Sequence, residues 1–470
     1  MKPAYLRPMQ AAAAGGAALY DRAQARWVSY SELEQRIADV SARFAPEARG
    51  LALLACPLRP ATVVAYLALV RAGHTVALLD PDTSESHLAT LAEAYQPEWV
   101  ITPEPRDEAA AALDDGLFVS RRNTSAQGPL HPELALLLST SGSTGSPKFV
   151  RLSAAAVEAN AVAIAEALGL TPHARAMAYQ GLHYAYGLSV LNSHLKAGAS
   201  LLLSDRTVLE RDFWAIMRAE GCDSFAGVPY TYETLRRLGP DTWCIPTLTT
   251  MTQAGGRLKP ELVAWYHQTL ARHGKHFLPM YGQTEATARI AVMPPEALPD
   301  KLGSVGRVIP GGTLTIEPLD PAAAEHGAGG EIVYTGPNVM MGYATGRADL
   351  ARGDECQGRL ATGDLGYLDA DGFLYVTGRL KRIAKLFGLR LNLDEVEDLV
   401  RQLGPAAAVE QKERLVLYCE FGDGDSLRTL TRELAGRLKL HHTALQLRRV
   451  EALPLLASGK VDYQRLREDG

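Results

Sequence analysis

Residues 139–150 read STSGSTGSPKFV, directly behind the apolar run ELALLL. Hydroxyls, unhindered glycine amides and a following lysine are the parts of a phosphate cradle: they can wrap a polyphosphate, with Lys148 as counter-charge. The same composition also suits a Ser/Gly surface loop. The Walker A pattern GxxxxGK[ST] is excluded, because Pro147 precedes the lysine and Phe149 follows it. Lysine usage adds weight to Lys148. Of 48 basic residues only 11 are lysine, so a lysine inside a glycine-rich motif supplies a compact point charge where arginine is the default cation.

Three further stretches hold residues fit for chemistry. In LPMYGQTE, residues 278–285, a strand-like run ends in an aromatic, a glycine and then Thr284-Glu285. Such a carboxylate suits a Mg²⁺ that keeps most of its waters and binds through substrate phosphates, or it is a solvated glutamate. In ATGDLGYLDADGFLYVTGR, residues 361–379, Asp364 is expected in a tight TGD turn. There it accepts both hydroxyls of a ribose or stabilises its own turn; Arg379 follows a second glycine. In LPLLASGKVDYQRL, Lys460 stands on a Ser-Gly-Lys loop, as a reactive cation or an exposed tail lysine.

Elements must hold these residues. Up to about residue 235, apolar runs (LALLAC, TVALLD, EWVIT, LALLLST, AMAYQG, SLLLS, SFAGVP) alternate with helix-like segments such as TVVAYLALVRAG and AAAVEANAVAIAEAL. That alternation predicts βαβ units and parallel sheet. From about 300 to 380 the texture turns to hairpin-like pieces, TLTIEPL, GEIVYTG and GYLDADGFLYVTG, with a turn at Asp371-Gly372. A last stretch of roughly 90 residues reads helix (LDEVEDLVRQLG), strand (RLVLYCEF) and helix (SLRTLTRELAGRL). The expected class is α/β: a large multi-sheet N-terminal domain over 1–380, with βαβ layers and a β-rich subdomain, and a small mobile α+β lid over 381–470. The boundary near Arg379–Arg382 is marked by charge.

Composition narrows the partners. At 470 residues two or more domains are expected. A net charge of −5 gives no field for nucleic acid or an anionic membrane. The cysteines Cys56, Cys222, Cys244, Cys356 and Cys419 are scattered without a CxxC pair, as in reduced cytoplasmic proteins. The N-terminal Ala/Gly run is too weakly apolar for a signal peptide, and no run is long enough to span a bilayer. The expected location is cytoplasmic.

Together and in this order, the four motifs resemble the adenylate-forming superfamily: acyl-CoA synthetases, adenylation domains of peptide synthetases, and luciferases. The resemblance covers essentially the whole chain, including WVSYSELEQR, AGHTVALLDPD, GEIVYTGPNVMMGY and GRLKRIAKLFGLRLNLDEVE. It implies ATP and Mg²⁺, an attack of a carboxylate on the α-phosphorus to give acyl-AMP and pyrophosphate, and displacement of AMP by a thiol. By the same resemblance, Thr140, Ser141, Ser143, Thr144 and Lys148 hold the β- and γ-phosphates, with Gly142, Gly145 and Gly256 among the nucleotide-binding positions. Tyr281 stacks on adenine, Thr284 contacts the α-phosphate and Glu285 holds Mg²⁺. Asp364 and Arg379 contact the ribose, and Lys460 reaches both the attacking carboxylate and the α-phosphate. Lys381 is the hinge, and Lys385 and Gly388 belong to the lid loop along the thiol's path. One departure is Phe149, where the family usually has glycine after the lysine; at the hinge many members carry aspartate and some carry lysine, and here it is Lys381.

The segment QGLHYAYGLSVLNSHLKAGASLLL matches the acyl-pocket wall, with His183, Tyr184, Gly187, Tyr230 and Gly255 as substrate-binding positions. Amino-acid-activating members place an aspartate where Tyr184 stands, and a buried ammonium without that partner costs several kcal/mol. A plain carboxylic acid, not an α-amino acid, is therefore the expected substrate. CoA is the expected acceptor; a carrier-protein phosphopantetheine is the alternative, and an inactive nucleotide-binding scaffold is the reading from another class. Arg382, Arg390 and Arg401 are the basic residues the lid offers CoA.

Overall fold

The computed structural model describes residues 16–45, 47–122, 128–139, 148–319, 329–386, 389–400, 402–411, 414–438, 440–456 and 461–468. Among the expected site residues, Thr140, Ser141, Gly142, Ser143, Thr144, Gly145, Gly388 and Lys460 lie outside them, as does Arg401. The chain divides into two units. One is built from Met1–Leu314, Tyr334–Leu360 and Gly372–Leu374, the other from Thr315–Val333, Ala361–Asp371 and Tyr375–Gly470.

Runs of apolar residues without polar alternation make strands buried on both faces, and such strands belong in parallel sheet covered by helices. Leu51–Ala55, Thr75–Leu79 and Trp99–Thr102 are buried at every position. They stand at the centre of an eight-stranded sheet whose order is 342–344, 149–153, 134–139, 75–79, 51–55, 99–102, 117–121, 111–114. The second sheet of this unit has nine strands in the order 307–308, 291–292, 276–281, 250–253, 224–227, 175–178, 200–203, 17–21, 26–29. Its strands from Arg175 to Tyr281 pair in parallel. The Ala/Gly run of the N-terminus ends in one of these strands, Ala17–Asp21, which pairs in parallel with Ser200–Leu203.

Helices fill the space between the two sheets. Pro60–Ala72 is apolar all round and buried at every position but Arg71, as expected of an internal helix. One core takes in Leu54 and Leu78 from the first sheet, Leu201 and Ala226 from the second, Val63 and Leu67 from this helix, and Leu191 and Leu195 from the helix Ala185–Ala197. The motif WVSYSELEQR opens the helix Tyr30–Phe44, whose first turn is capped by Ser29 Oγ accepting the Glu32 amide at 3.1 Å.

The second unit carries a four-stranded sheet in the order 313–318, 330–335, 359–368, 374–379. The turn at Asp371-Gly372 joins its last two strands. The remaining C-terminal part is α+β: helices Leu393–Val400, Gly424–Arg437 and Tyr463–Glu468 accompany the sheet of Ala406–Gln411, Arg414–Cys419 and Leu445–Arg449. No helix of the described residues is long and apolar enough to cross a membrane. All five cysteines are free.

Candidate active site

Lys148 leads into the strand Phe149–Ser153, and the two neighbours face opposite ways. Phe149 is 2% exposed and packs edge-on against Tyr95, with ring centroids 5.2 Å apart. The residue that departs from the family's glycine is thus the core anchor of its strand. Lys148 lies over the Tyr343 ring, its Nζ 3.5 Å from the centroid. Tyr343 is on Gly342–Ala344, which pairs antiparallel with Phe149–Ser153, Tyr343 opposite Val150. Its hydroxyl donates to Glu285 Oε1 at 2.8 Å. Burial and the Glu285 charge push the phenol up, so it remains a donor.

Glu285 sits in the short turn Thr284–Ala286, directly after the strand His276–Tyr281. This is the carboxyl edge of the parallel strands, where open α/β sheets bind ligands. The chain folds back sharply there. A Cβ on Gly282 would fall 1.7 Å from Ala288 O, so only glycine fits. Thr287 takes a left-handed φ of 61°. Its Oγ1 donates to Asn338 O at 2.6 Å, and Asn338 Nδ2 donates to Ala286 O at 2.8 Å. Such strain persists only where surroundings enforce it, and it clusters at functional loops. Among the described residues no three metal-ligating side chains cluster. A Mg²⁺ at Glu285 would thus take its other ligands from phosphates and water, which suits that ion.

The residues expected to wall the acyl group lie along the same edge. Tyr184 is the N-cap of Ala185–Ala197. Gly187 is forced by packing, because its Cβ would meet Gly181 O at 2.5 Å. Tyr230 begins the helix Pro229–Leu238 and is 61% exposed. Gly255 and Gly256 follow the strand Thr250–Gln253, and Gln253 Nε2 donates to Gly256 O at 2.8 Å. His183 is buried, with Nε2 3.3 Å from Asp80 Oδ2 and its ring 4.1 Å from that of Tyr184. Burial lowers its pKa, partly opposed by Asp80 and Asp82.

In the second unit, Asp364 and Arg379 meet, with Nε 3.2 Å from Oδ1. Asp364 does not stand in a tight turn as its TGD sequence suggests. It is inside the ten-residue strand Arg359–Leu368, just after Gly363 at φ 71°. The Gly363 amide donates to Glu331 Oε1 at 3.0 Å. Lys381 is exposed in the turn Leu380–Arg382, and Lys385 lies on the strand Ile383–Leu386. Arg382 is not available to CoA phosphates. It is 6% exposed, with Nε 2.9 Å from Asp394 Oδ1, an ion pair to Glu397, and Tyr463 stacked 3.9 Å away.

Sequence reasoning assigned no role to Tyr343, Asp80 or Asn338. Tyr343 and Asn338 fall in GEIVYTGPNVMMGY and Asp80 in AGHTVALLDPD, so the motifs held them, but their partners lie far away along the chain.

The AMP-binding enzyme family matches residues 9–344. Sulfoacetate–CoA ligase of Cupriavidus necator is 32% identical over 361 residues, 73% of this chain and 69% of that protein. A linear gramicidin synthase chain of Brevibacillus parabrevis is 26% identical over 93% of this chain, which spans 6% of that protein. 2-Succinylbenzoate–CoA ligase of Bacillus cereus is 32% identical over 57% of this chain and 54% of its own length. Among solved structures, the O-succinylbenzoate coenzyme A synthetase of Bacillus subtilis with AMP superposes at a TM-score of 0.74 and 23% identity, covering 96% of this chain and 94% of that one. The chain therefore belongs to the AMP-binding enzyme family, within the adenylate-forming superfamily of AMP-forming acid ligases.

Proposed function

We propose that this ligase activates a carboxylic acid without an α-amino group to its acyl-adenylate, releasing pyrophosphate, and passes the acyl group to the thiol of CoA. The observation that carries the reading is the join of Lys148 and Glu285 through one tyrosine at the carboxyl edge of the sheet. A lysine and a carboxylate joined through one tyrosine suit a polyphosphate bound with Mg²⁺.

In this reading Lys148 and the loop Thr140–Gly145 clamp the β- and γ-phosphates, and Glu285 holds the metal, which neutralises phosphate charge. Tyr281 stacks on adenine, Thr284 contacts the α-phosphate, and Asp364 and Arg379 hold the ribose. Two anions must meet as charge builds on the α-phosphate oxygens, so positioning and cations supply the catalysis, and Lys460 brings the second cation. Residues 381–470 act as the lid, turning about Lys381, with Lys385 and Gly388 along the thiol's path. His183, Tyr184, Gly187, Tyr230 and Gly255 wall the acyl group. The acids named for two relatives, sulfoacetate and 2-succinylbenzoate, have no α-amino group, which supports the same choice here.

A carrier protein is the second reading for the acceptor, suggested by the peptide-synthetase relative. A pyrophosphate-release screen over diverse acids, with and without CoA, tests the reading. Acid-dependent release and a CoA-dependent thioester are expected. Release without a CoA product would move the acceptor to a carrier, and no release with any acid would overturn the activity.

A further inference from the structure

A cavity of about 230 Å³ lies between the helix Ala185–Ala197 and the strands Arg175–Ala178, Ser224–Gly227 and Thr250–Gln253. An apolar cavity of about 150 Å³ already admits benzene, so there is room for a ring or a short chain. Arg289, His194, Ser193 and Thr252 line it beside Val190 and Ala226, and Ser224, Thr249 and Thr250 line it near the starts of the strands.

Arg289 is 1% exposed. Its guanidinium stands 4.7 Å from the Tyr186 ring and donates one bond, to Ser189 Oγ at 3.3 Å. Nε has no acceptor, and no carboxylate among the described residues pairs with this cation. Among the described residues the other buried arginines each have one: Arg151 pairs with Glu355, Arg347 with Glu98, and Arg382 with Asp394 and Glu397. A guanidinium stripped of water without a counter-anion is strongly unfavourable, so the exception calls for an anion from outside the chain.

His194 gives a second, independent sign. It is buried, and Nδ1 lies 2.8 Å from Val190 O, which fixes the proton there and leaves Nε2 a bare acceptor without a partner. The cavity thus offers a cation seeking an anion and an acceptor seeking a donor. Asp223 also lines it, but at the other end. It precedes Ser224, which is level with Thr250 and His276, whereas the Ile290 amide beside Arg289 bonds Tyr281 O, five residues further along. Val190 and Ala226 line both this cavity and the tight packing around Gly187, so it adjoins the expected acyl wall.

We propose that the acid activated here carries a second carboxylate, which enters this cavity and pairs with Arg289, while His194 Nε2 accepts from a hydroxyl or water beside it. The inference rests on the ligase reading above and makes Arg289 a specificity-determining residue.

The test uses the full chain with matched acids of equal length, from succinate and butyrate to suberate and octanoate, with terephthalate and benzoate as a ring pair. Pyrophosphate release is measured, and binding is measured by calorimetry with Mg²⁺ and a non-hydrolysable ATP analogue. Wild type is expected to favour the diacid by roughly 10- to 100-fold, the scale of one bond to a charged group. Arg289→Met should remove that preference and leave nucleotide binding intact, while Arg289→Lys should keep part of it. A wild-type preference for the monoacid, or an unchanged ratio in Arg289→Met, overturns the inference. Should Arg289→Met fail to fold, the wild-type ratio and Arg289→Lys decide. If no acid releases pyrophosphate, the ligase reading fails, and calorimetry still decides the pairing at Arg289: Arg289-dependent diacid binding upholds the diacid site, and a cavity that takes up only water sinks it.

Discussion

Tyr343 Oη donates to Glu285 Oε1 at 2.8 Å while the face of the same ring lies 3.5 Å from Lys148 Nζ. One side chain uses both of its electrostatic poles, the negative face toward a cation and the hydroxyl proton toward an anion. It also ties together the two sheets of its unit. Tyr343 is on the edge strand of the eight-stranded sheet, Lys148 precedes the strand next to it, and Glu285 follows a strand of the nine-stranded one.

Tyr343→Phe keeps the ring under Lys148 and removes only the bond to Glu285. A hydrogen bond to a charged group is worth about 1.5–3 kcal/mol, so kcat/KM for MgATP should fall roughly 10- to 100-fold. The Mg²⁺ concentration for half-maximal pyrophosphate release should rise with it. Tyr343→Leu, which loses the ring as well, should fall further. A Phe variant with wild-type metal dependence would show that Tyr343 does not position Glu285.

Lys460→Ala separates the two half-reactions. If Lys460 stabilises the charge formed as carboxylate meets α-phosphate, the variant loses acid-dependent pyrophosphate exchange by about 10²-fold or more, as for removal of a single charge-stabilising group. It should still turn supplied acyl-AMP and thiol into thioester. Full exchange activity would remove Lys460 from the first step.

The elements were legible wherever burial alone dictates them. LALLAC, TVALLD and SFAGVP contain the strands Leu51–Ala55, Thr75–Leu79 and Ser224–Gly227, and AAAVEANAVAIAEAL contains the helix Ala154–Ala167. Pattern fails where a contact far along the chain sets the outcome. Asp364 reads as a turn residue, yet strand pairing on both sides keeps it in a strand. Phe149 looks like an intrusion in a glycine loop until Tyr95 stands against it. Arg382 resembles a solvated lid charge until Glu397, 15 residues later, pairs with it. The motif residues were visible because each lies within three residues of a glycine. Their partners Tyr343, Asp80 and Asn338 were not, because no local period announces a tertiary hydrogen bond.

Arg382 holds the C-terminal part together in a way arginine alone can. Its guanidinium serves Asp394, Glu397 and the Ala408 carbonyl, the last at 2.6 Å, and stacks on Tyr463. Arg382→Met leaves two carboxylates without their cation, one of them buried, and should destabilise this part by about 3–5 kcal/mol in urea unfolding. Arg382→Lys should rescue little, since an ammonium cannot serve the planar array. A Met variant with an unshifted midpoint would contradict the assignment.

His194 makes the acid side of the stability curve testable. Burial pulls its pKa down from 6.5 to about 4, against the smaller effect of Val190 O. Between those values the unfolded chain takes up a proton that the folded chain refuses, so stability falls as pH drops from about 6.5 to about 4 and this contribution is flat outside that window. The slope approaches about 1.4 kcal/mol per pH unit and the sum about 3 kcal/mol. His194→Leu removes the titration and fills a similar volume, so the difference in unfolding free energy between wild type and variant should shift in the variant's favour by that amount across the window. Parallel curves from pH 6.5 to 4 would mean that the imidazole is hydrated enough to protonate in the folded protein, and that the cavity beside it admits water freely.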